Sequence, residues 1–453
     1  MTRPKIDRRR FIERSSIGFL GAGLAGNLLT PAGRADQPAT NQPGNPGHSP
    51  AVQSYRRLGR TGFRVSDLSS GAPSNENVLR HLLDSGVNFI DAGETYGNGA
   101  TEELIGKVIR DYDRSKLFIN SKLYAKEGSF PSKKEVIKRT EAALERLGTE
   151  YVDCMMIHSA EDSKIIKDQA FHDGMKTMKR QGKVRAVGVS CHGNNWAYDP
   201  RENLEQVLMT AVNDGRFDVI LLAYNFVNAE MAGRVLQACR SADIGTVIMK
   251  SNPVYIYHLL DDGIRRRKEE GGEISEYMQN FYDKYKKMHA GAAEFFKKYG
   301  AATEEELSDA ALKFILGDER AHTIIWDFKN FDSVTRILGL SGQKLDRTGE
   351  KALSAYRQSF GPLTCHIGCN ECEKACPHHL PVNTIMRYNY YFMAKKEEKE
   401  AMQKFAGLPG KKPSEVCADC DAPCEQACPN GVQTRSLLAA AQHNLDWVTA
   451  TTT

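Results

Sequence analysis

The sequence predicts an α/β chain made of a (β/α)₈ barrel, the TIM barrel fold, followed by a smaller α-helical domain rich in cysteine. Two observations support this prediction. Short apolar runs alternate with amphipathic stretches through the middle of the chain, and eight of the eleven cysteines fall in two short segments near its end. A doubly wound sheet is the alternative for the first part. With 453 residues, the chain is long enough for two folded units.

Residues 1–35 have the pattern of a targeting segment that is not part of the fold. A basic start is followed by a Gly-rich apolar stretch and then by small residues that end at Ala35. This pattern resembles a twin-arginine export signal, in which Arg8 and Arg9 are the paired arginines. A disordered basic arm is the alternative. We expect a periplasmic or otherwise exported protein, with the Pro- and Gly-rich residues 36–54 as a linker.

Composition argues against two classes of partner. No run of about twenty apolar residues is present, so we expect no membrane span in the mature chain. Residues 1–35 hold seven basic and two acidic side chains, so removing them lowers the formal net charge by five, from +4 to −1. The basic character lies mostly in the signal and indicates no binding to nucleic acid.

The barrel is predicted over residues 55–345. Eight apolar runs with helix-period segments between them are its candidate strands: 65–69, 87–92, 116–121, 152–158, 184–190, 217–223, 245–250 and 322–326. A charged, Tyr-rich insertion at 255–299 follows the seventh strand. Such an insertion can shape access of the substrate, or it can be a solvated helical hairpin that supports the second domain.

Polar side chains follow three of the predicted strands and form the candidate catalytic site. Asp91 ends the second strand, Tyr96 lies on the loop after it, Lys122 ends the third strand and His158 the fourth. In a barrel these positions meet at the active-site mouth. We expect the Lys122 ammonium to lower the pKa of Tyr96, Asp91 to hold the lysine and His158 to orient a carbonyl. Taken singly, each residue has a structural explanation, such as a helix cap or a hydrogen-bonded rim residue.

Three stretches resemble signatures of the aldo-keto reductase family in the family's order: FIDAGETYGNGATEELIG, ALERLGTEYVDCMMIH and GKVRAVGVS. The resemblance implies an oxidoreductase that interconverts a carbonyl and an alcohol by hydride transfer with NADP or NAD. Tyr96 would be its general acid and base. The substrate would be a small polar molecule, for example one that resembles a sugar.

The resemblance also implies positions that contact the nicotinamide nucleotide: Ser190, Cys191, Met249, Lys250, Lys329 and Asn330. Cys191 replaces an asparagine of the family, Leu221 a glutamine that holds the carboxamide, and Asp327 a glycine of the phosphate loop. These departures support an alternative function, an iron-sulfur electron-transfer or binding protein whose barrel no longer uses a nicotinamide.

The cysteine-rich domain is predicted over residues 350–446. Its two segments have the spacings C-x₃-C-x₂-C-x₃-C-P and C-x₂-C-x₃-C-x₃-C-P, each one residue longer than the run of bacterial ferredoxins. Iron-sulfur clusters fit this paired pattern best, and structural zinc and disulfides are the alternatives.

Resemblance to two-cluster ferredoxins of the α-helical type, which also form the tail of iron-sulfur aldo-keto reductases, implies two [4Fe-4S] clusters. In such domains the fourth cysteine of each run binds the other cluster. The implied ligand sets are Cys365, Cys369, Cys372 and Cys428 for one cluster, and Cys376, Cys417, Cys420 and Cys424 for the other. The clusters would be either structural or a relay to an external electron-transfer partner.

Overall fold

The computed structural model describes residues 51–193, 202–254 and 303–446, apart from Ala394, Lys396 and Ala418, and a few isolated positions between 255 and 302. The predicted export signal, most of the predicted linker and nearly all of the predicted insertion at 255–299 therefore lie outside the described residues.

Eight parallel strands close into a barrel. Around the ring they are β3 (Leu68–Ser70), β4 (Phe89–Asp91), β5 (Phe118–Tyr124), β6 (Val152–His158), β7 (Val184–Cys191), β8 (Val219–Ala223), β9 (Gly245–Met249) and β10 (Thr323–Trp326). The last strand pairs with the first, with Ile325 opposite Ser69. This closure confirms the predicted barrel and excludes the doubly wound sheet, which is open.

A short antiparallel hairpin, β1 (Tyr55–Arg57) and β2 (Arg64–Ser66), precedes the barrel. Its Leu58 and Val65 belong to the same buried cluster as the side chains that fill the barrel interior. An ideal Cβ on Gly59 would lie 2.2 Å from the backbone nitrogen of Gly245, the first residue of β9. The hairpin therefore covers the amino ends of the strands and leaves the carboxyl ends for the site.

Helices follow the strands and cover the outside of the barrel. They are α1 (Glu76–Asp84), α2 (Ala100–Ile109), α3 (Lys133–Leu147), α4 (Ser163–Ile166), α5 (Gln169–Arg180), α6 (Leu204–Asp214), α7 (Ala229–Ser241), α8 (Glu304–Leu316) and α9 (Phe331–Leu338). Local sequence sets their ends. Asn203 and Thr303 begin α6 and α8 with capping boxes, and Gly148 ends α3 in the left-handed conformation.

The C-terminal tail consists of helices and loops. Its helices are α10 (Arg347–Phe360), α11 (Val382–Met393), α12 (Glu398–Ala406), α13 (Pro413–Val416), α14 (Pro423–Gln426) and α15 (Thr434–Leu445). Its buried side chains form a cluster that includes Cys372, Cys376 and Cys424. The tail is helical, as predicted, whereas its relation to ferredoxins stays a prediction.

The tail packs against the carboxyl end of the barrel, and the described residues of both belong to one compact unit. The Leu204 amide donates a hydrogen bond to the Gly368 carbonyl oxygen at 2.9 Å, and Asn370 Nδ2 donates to the Glu202 carbonyl oxygen at 3.1 Å. Gly193 and Gly368 are so close that an ideal Cβ on Gly193 would lie 2.3 Å from the Cα of Gly368. None of the described helices is long and apolar enough to cross a bilayer.

Candidate active site

The four predicted catalytic residues meet at the carboxyl end of the barrel. Asp91 is the last residue of β4, Lys122 lies in β5, and His158 is the last residue of β6. Tyr96 begins a 3₁₀ turn, Tyr96–Gly99, after β4. The turn contains two consecutive left-handed residues, Gly97 and Asn98, which directly follow the tyrosine.

A continuous series of hydrogen bonds joins the carboxylate, the amine and the phenol. Lys122 Nζ donates to Asp91 Oδ2 at 2.6 Å, to the Ala92 carbonyl oxygen at 2.7 Å and to the Tyr96 hydroxyl at 3.2 Å. The Asp91 and Lys122 side chains are 2% and 1% exposed. The lysine thus has its three donors directed at three oxygen atoms, one of which is the phenol oxygen.

Asn120 supports this arrangement and was not predicted from the sequence. Its Nδ2 donates to Asp91 Oδ1 at 2.6 Å, so each carboxylate oxygen of Asp91 accepts a hydrogen bond. Asn120 lies in β5, two residues before Lys122, and both side chains face the barrel interior because side chains alternate along a strand. The pattern Asn-x-Lys at the end of a predicted strand could have indicated it.

Burial dominates the proton affinities of this site. Burial raises the pKa of Asp91 and lowers that of Lys122, while the contact between the two acts in the opposite direction for both. Burial, followed by the Asp91 carboxylate, raises the pKa of Tyr96 well above its usual value. The expected lowering of the Tyr96 pKa by Lys122 is therefore wrong, because desolvation of a phenolate outweighs a lysine whose charge Asp91 already neutralises.

His158 lies against the tyrosine ring. The two rings are 5.2 Å apart in an edge-to-face arrangement, and His158 Nδ1 is 3.2 Å from Thr95 Oγ1. Burial, with a further contribution from the Lys122 ammonium, lowers the pKa of His158 well below its usual value. The imidazole is therefore neutral near pH 7 and can donate one hydrogen bond to a carbonyl oxygen.

The positions implied for the nicotinamide ring have few free polar groups. Ser190 Oγ accepts a hydrogen bond from the Ser159 amide at 2.8 Å. Cys191 is fully buried, and its Sγ accepts a hydrogen bond from the Gly193 amide. Leu221 and Met249 pack in the barrel interior. Neither Cys191 nor Leu221 replaces the amide groups that the family resemblance implies.

Lys250, another position implied to contact the nucleotide, is covered by the tail. Its backbone is left-handed, with φ of 54°, and its side chain is buried. The ammonium lies 4.1 Å from the ring centroid of Tyr391 and 4.5 Å from that of Tyr390, both in α11. These tyrosines were not predicted as site residues, although they lie in the stretch RYNYYFMAKK, which is unusually rich in aromatic and basic residues.

The loop after β10 also engages the tail. Asp327 Oδ2 lies 2.6 Å from Nζ of Lys395, which follows α11. Burial raises the pKa of Asp327, but the ammonium groups of Lys395, Lys329 and Lys250 together lower it more. The carboxylate is therefore ionised. Lys329 is exposed, and Asn330 caps α9 by accepting a hydrogen bond from the Ser333 amide at 2.9 Å. The structure therefore pairs Asp327 with the tail and leaves Lys329 accessible.

All eleven cysteines lie in the described part of the chain, and none of them forms a disulfide. Burial raises the pKa of Cys372, and the neighbouring Cys365, Cys428 and Cys369 raise it further. Burial likewise raises the pKa of Cys417 to about 12, with contributions from Cys376, Cys424 and Cys420. These two neighbourhoods contain the same residues as the two predicted ligand sets.

The second set of thiols surrounds a pocket. Its lining includes Cys376, Cys417, Cys420 and Cys424, together with Pro377, Leu380 and Arg435. Within the described ranges, no three His, Cys, Asp or Glu side chains are arranged to hold a metal ion. The presence of iron-sulfur clusters therefore stays a prediction.

Comparison with known proteins identifies the family. The chain matches the aldo/keto reductase family over residues 58–353. Aldo-keto reductase YhdN of Bacillus subtilis is 24% identical over 301 residues, which cover 62% of this chain and 83% of that protein. A probable voltage-gated potassium channel subunit beta of Arabidopsis thaliana is 34% identical over 131 residues, which cover 25% of this chain and 40% of that protein.

The chain thus spans about two fifths of the length of the potassium channel subunits that it matches. A crystal structure of an aldo/keto reductase from Klebsiella pneumoniae, in complex with NADP and acetate, has a TM-score of 0.46 at 18% identity. That match covers 68% of this chain and 96% of the other. The family match covers most of the chain and includes all eight barrel strands, and the chain therefore belongs to the aldo/keto reductase family of oxidoreductases.

Proposed function

We propose that the protein interconverts a carbonyl and an alcohol, with Tyr96 as the general acid in reduction and the general base in oxidation. The observation that supports this most directly is the buried series from Asp91 through Lys122 to the Tyr96 hydroxyl, with His158 against the tyrosine ring. A proton donor next to a neutral imidazole is what protonation of a carbonyl oxygen requires.

Each residue has a separate part in this reaction. The His158 imidazole orients the carbonyl by donating a hydrogen bond to its oxygen, and the Tyr96 hydroxyl donates the proton. The phenolate that forms is stabilised by the Lys122 ammonium, 3.2 Å away. Asp91 holds this ammonium in place and balances its charge. When bound, a nicotinamide nucleotide, NADP or NAD, would supply the hydride.

Replacing Tyr96 with Phe tests this proposal. With NADPH and an activated aldehyde such as 4-nitrobenzaldehyde, we expect Tyr96→Phe to lower kcat by about 10²- to 10⁴-fold, because it removes the proton donor and leaves the ring. Tyr112→Phe is the matched control, since its hydroxyl bonds to Asp84 between α1 and α2, outside the barrel. Full activity in Tyr96→Phe would rule out the role of the phenol.

A second candidate function is a barrel that no longer uses a nicotinamide. It is supported by the two tyrosine rings over Lys250 and by the Asp327–Lys395 ion pair in the loop after β10. Titration of the intact protein with NADPH, and analysis of any nucleotide released on denaturation, distinguish the two candidates. Binding supports the reductase, whereas no binding and no released nucleotide support the second candidate.

We also propose that the eight tail cysteines hold two [4Fe-4S] clusters in the two sets given above. The free thiols and their two neighbourhoods support this more than they support disulfides. In a four-iron cluster each thiolate binds a different iron, so its ligands need not converge on one point as the ligands of zinc do. Because a hydride carries two electrons, such clusters would be a structural element or a one-electron relay to a partner protein.

Export by the twin-arginine route is proposed from the sequence of residues 1–35. Fractionation of cells that express the full chain tests it. The unchanged chain should reach the periplasm, and a variant with Arg8→Lys and Arg9→Lys should stay in the cytoplasm. Equal distribution of the two would contradict the proposal.

A further inference from the structure

Three cationic or imidazole side chains lie together where the tail covers the barrel mouth. They are Lys250 after β9, His192 after β7 and Arg387 in α11, and they form the Lys250–His192–Arg387 cluster. The Lys250 ammonium lies over the rings of Tyr390 and Tyr391, which come three and four residues after Arg387 in α11, so the two cations share one side of that helix. His192 comes directly before Gly193, which meets Gly368, and the Gly368 amide donates a hydrogen bond to Asn383 in α11. Burial lowers the pKa of His192 well below its usual value, and Lys250 and Arg387 lower it further. Arg387 also contributes to the lowered pKa of Lys250, after burial and Lys395.

The described residues satisfy the hydrogen-bonding groups of this cluster only in part, and Arg387 has one side-chain hydrogen bond, with Tyr388. Lys250 and Arg387 are 9% and 6% exposed. Arg387 Nε and His192 Nδ1 are buried and have no hydrogen-bond partner among the described residues. The Lys250 ammonium is near the faces of Tyr390 and Tyr391. A ring face attracts a cation but does not balance its charge, and the lowered pKa of Lys250 is the expected result of burying its ammonium with no carboxylate of the described residues in contact.

Neighbouring cations at the same end of the barrel do have carboxylate partners. Lys122 lies 2.6 Å from Asp91, Lys395 lies 2.6 Å from Asp327, and Lys404 lies 2.7 Å from Glu400. Burial lowers the pKa of Arg387, but Tyr391, Tyr388 and the Glu161 carboxylate raise it more. Among the buried cations that the structure describes in this region, Lys250 and Arg387 thus have no ion pair, whereas Lys122 has one. Retaining them costs stability unless an anion binds there.

The cluster adjoins the proposed proton donor. His192 interacts electrostatically with His158, and Arg387 with Tyr124. The Tyr124 and His158 rings are 6.3 Å apart, and the His158 ring is 5.2 Å from that of Tyr96. A carbonyl at Tyr96 would therefore lie at the same end of the barrel as an anion bound in the cluster.

We propose that the Lys250–His192–Arg387 cluster binds an oxyanion of the substrate, so that the substrate is a small carbonyl or hydroxy compound that carries a carboxylate. This inference rests on the proposed function and names its substrate class. In this proposal the tail contacts the substrate directly through Arg387, whatever the role of its cysteines.

A pair of matched substrates tests the proposal in the full-length protein, purified anaerobically so that any bound iron is kept. 4-Carboxybenzaldehyde carries a carboxylate, and its methyl ester has nearly the same shape without the charge. We expect kcat/KM to be at least about tenfold higher for the acid. Arg387→Met should lower kcat/KM for the acid about 10- to 100-fold more than for the ester, because a hydrogen-bonded charge partner is lost. Arg387→Lys should keep part of the preference, which separates charge from packing. Arg240→Met, an exposed arginine near the end of α7, is the control.

Binding of benzoate, measured by calorimetry, separates this inference from the proposed function. If neither aldehyde is turned over but benzoate binds the unchanged protein and not Arg387→Met, the anion site stands and the proposed function fails. If both aldehydes react equally and benzoate does not bind, the anion site is overturned. Loss of NADPH binding in Arg387→Met, without benzoate binding in the unchanged protein, would assign the cluster to a nucleotide phosphate and also overturn the proposal.

Discussion

Asp91 and Lys122 are each at most 2% exposed, and their charged atoms are 2.6 Å apart. Removing two charges from water costs several kcal/mol, which their attraction offsets only while both are present. A pair of this kind is weak evidence for stability by itself. The Lys122 ammonium also donates a hydrogen bond to the Tyr96 hydroxyl, so in the proposed reaction it can stabilise the phenolate.

We expect Asp91→Asn and Lys122→Met each to destabilise the protein by about 3–5 kcal/mol, because each leaves one buried charge without its partner. The double variant should lose less than the sum of the two, since it leaves no isolated charge. The midpoint of urea unfolding in all four proteins measures this coupling. Additive losses would mean that the two side chains contribute independently.

The pH dependence of the reaction follows from the raised pKa of Tyr96 and the lowered pKa of His158. Reduction uses the protonated phenol, which persists at every pH below its raised pKa. Oxidation uses the phenolate, whose fraction grows about tenfold per pH unit in the same range. We therefore expect a flat rate of carbonyl reduction between about pH 6 and 9 and a rising rate of alcohol oxidation.

The measurement is kcat in both directions across this range. An inflection in reduction near the ordinary pKa of histidine, about 6.5, would contradict a neutral His158. A flat oxidation profile would contradict a Tyr96 pKa above the range.

The four site residues could be predicted because each follows a barrel strand or its loop, where the fold brings polar groups together. Arg387, Tyr391 and Lys395 could not. They come from the tail, and no local pattern in the sequence states that α11 packs on the mouth. The direction of the Tyr96 pKa was also missed, since it depends on burial by the whole structure and not on the neighbouring lysine.

Elements of the barrel were predictable because most strands contain a short apolar run, with polar residues mainly towards their carboxyl ends. Val219–Ala223 and Gly245–Met249, for example, are buried on both faces, as parallel strands are. The contact between the tail and the barrel could not be predicted from the sequence, because it depends on close packing of two backbone segments. Gly193 after β7 faces Gly368 in the loop between two tail cysteines, and both have positive φ, 94° and 86°.

Gly193→Ala should therefore separate the tail from the barrel. The added methyl would lie 2.3 Å from the Cα of Gly368, so the loops must move apart. Gly215→Ala is a matched control, because its φ is 76° and nothing lies within 4 Å of the added methyl. We expect the control to lose about 1–2 kcal/mol from backbone strain alone and Gly193→Ala to lose more.

Thermal unfolding measures the difference between the two variants, and limited proteolysis should show faster cleavage of the tail in Gly193→Ala. Equal losses of stability, with equal rates of cleavage, would show that the close approach of the two loops is unimportant for holding the tail.

The loop after β10 is expected to affect the affinity for NADPH. Asp327 is ionised and lies where the family resemblance implies a phosphate loop. Asp327→Asn removes this negative charge and its bond to Lys395, so we expect NADPH to bind about five- to tenfold more tightly, as a reduced repulsion of about 1 kcal/mol implies. Fluorescence titration measures it, with Asp332→Asn in α9 as a nearby control. Unchanged or weaker binding would show that Asp327 does not oppose the nucleotide.

The tail lies on the mouth of the barrel and contributes side chains to it. Lys395 neutralises Asp327, and the rings of Tyr390 and Tyr391 cover Lys250. A tail that only stored electrons could lie anywhere on the surface. Its position instead links the arrangement of the cysteines to the shape of the site, since Gly368 lies between Cys365 and Cys369 and contacts the loop after β7.

The arrangement of the eight cysteines makes a prediction about iron. If they hold two [4Fe-4S] clusters, the anaerobically purified protein should contain about eight iron atoms per chain. Cys372 and Cys428 belong to one neighbourhood of cysteines and Cys424 to the other, although Cys424 and Cys428 are close in sequence. Cys372→Ser and Cys428→Ser should each remove about four iron atoms, and the double variant should remove no more, because both ligands serve the same cluster.

The variant with Cys424→Ser and Cys428→Ser should in contrast lose about eight, although its two changes are only one helical turn apart. Ligands drawn from one sequence run per cluster would give the opposite result, with the pair Cys372 and Cys428 losing both clusters and the pair Cys424 and Cys428 losing one. Zinc in place of iron would be detected in the same elemental measurement. The comparison of the two double variants thus tests whether the two runs exchange their last cysteine, which is the feature that would lock the two halves of the tail together over the barrel.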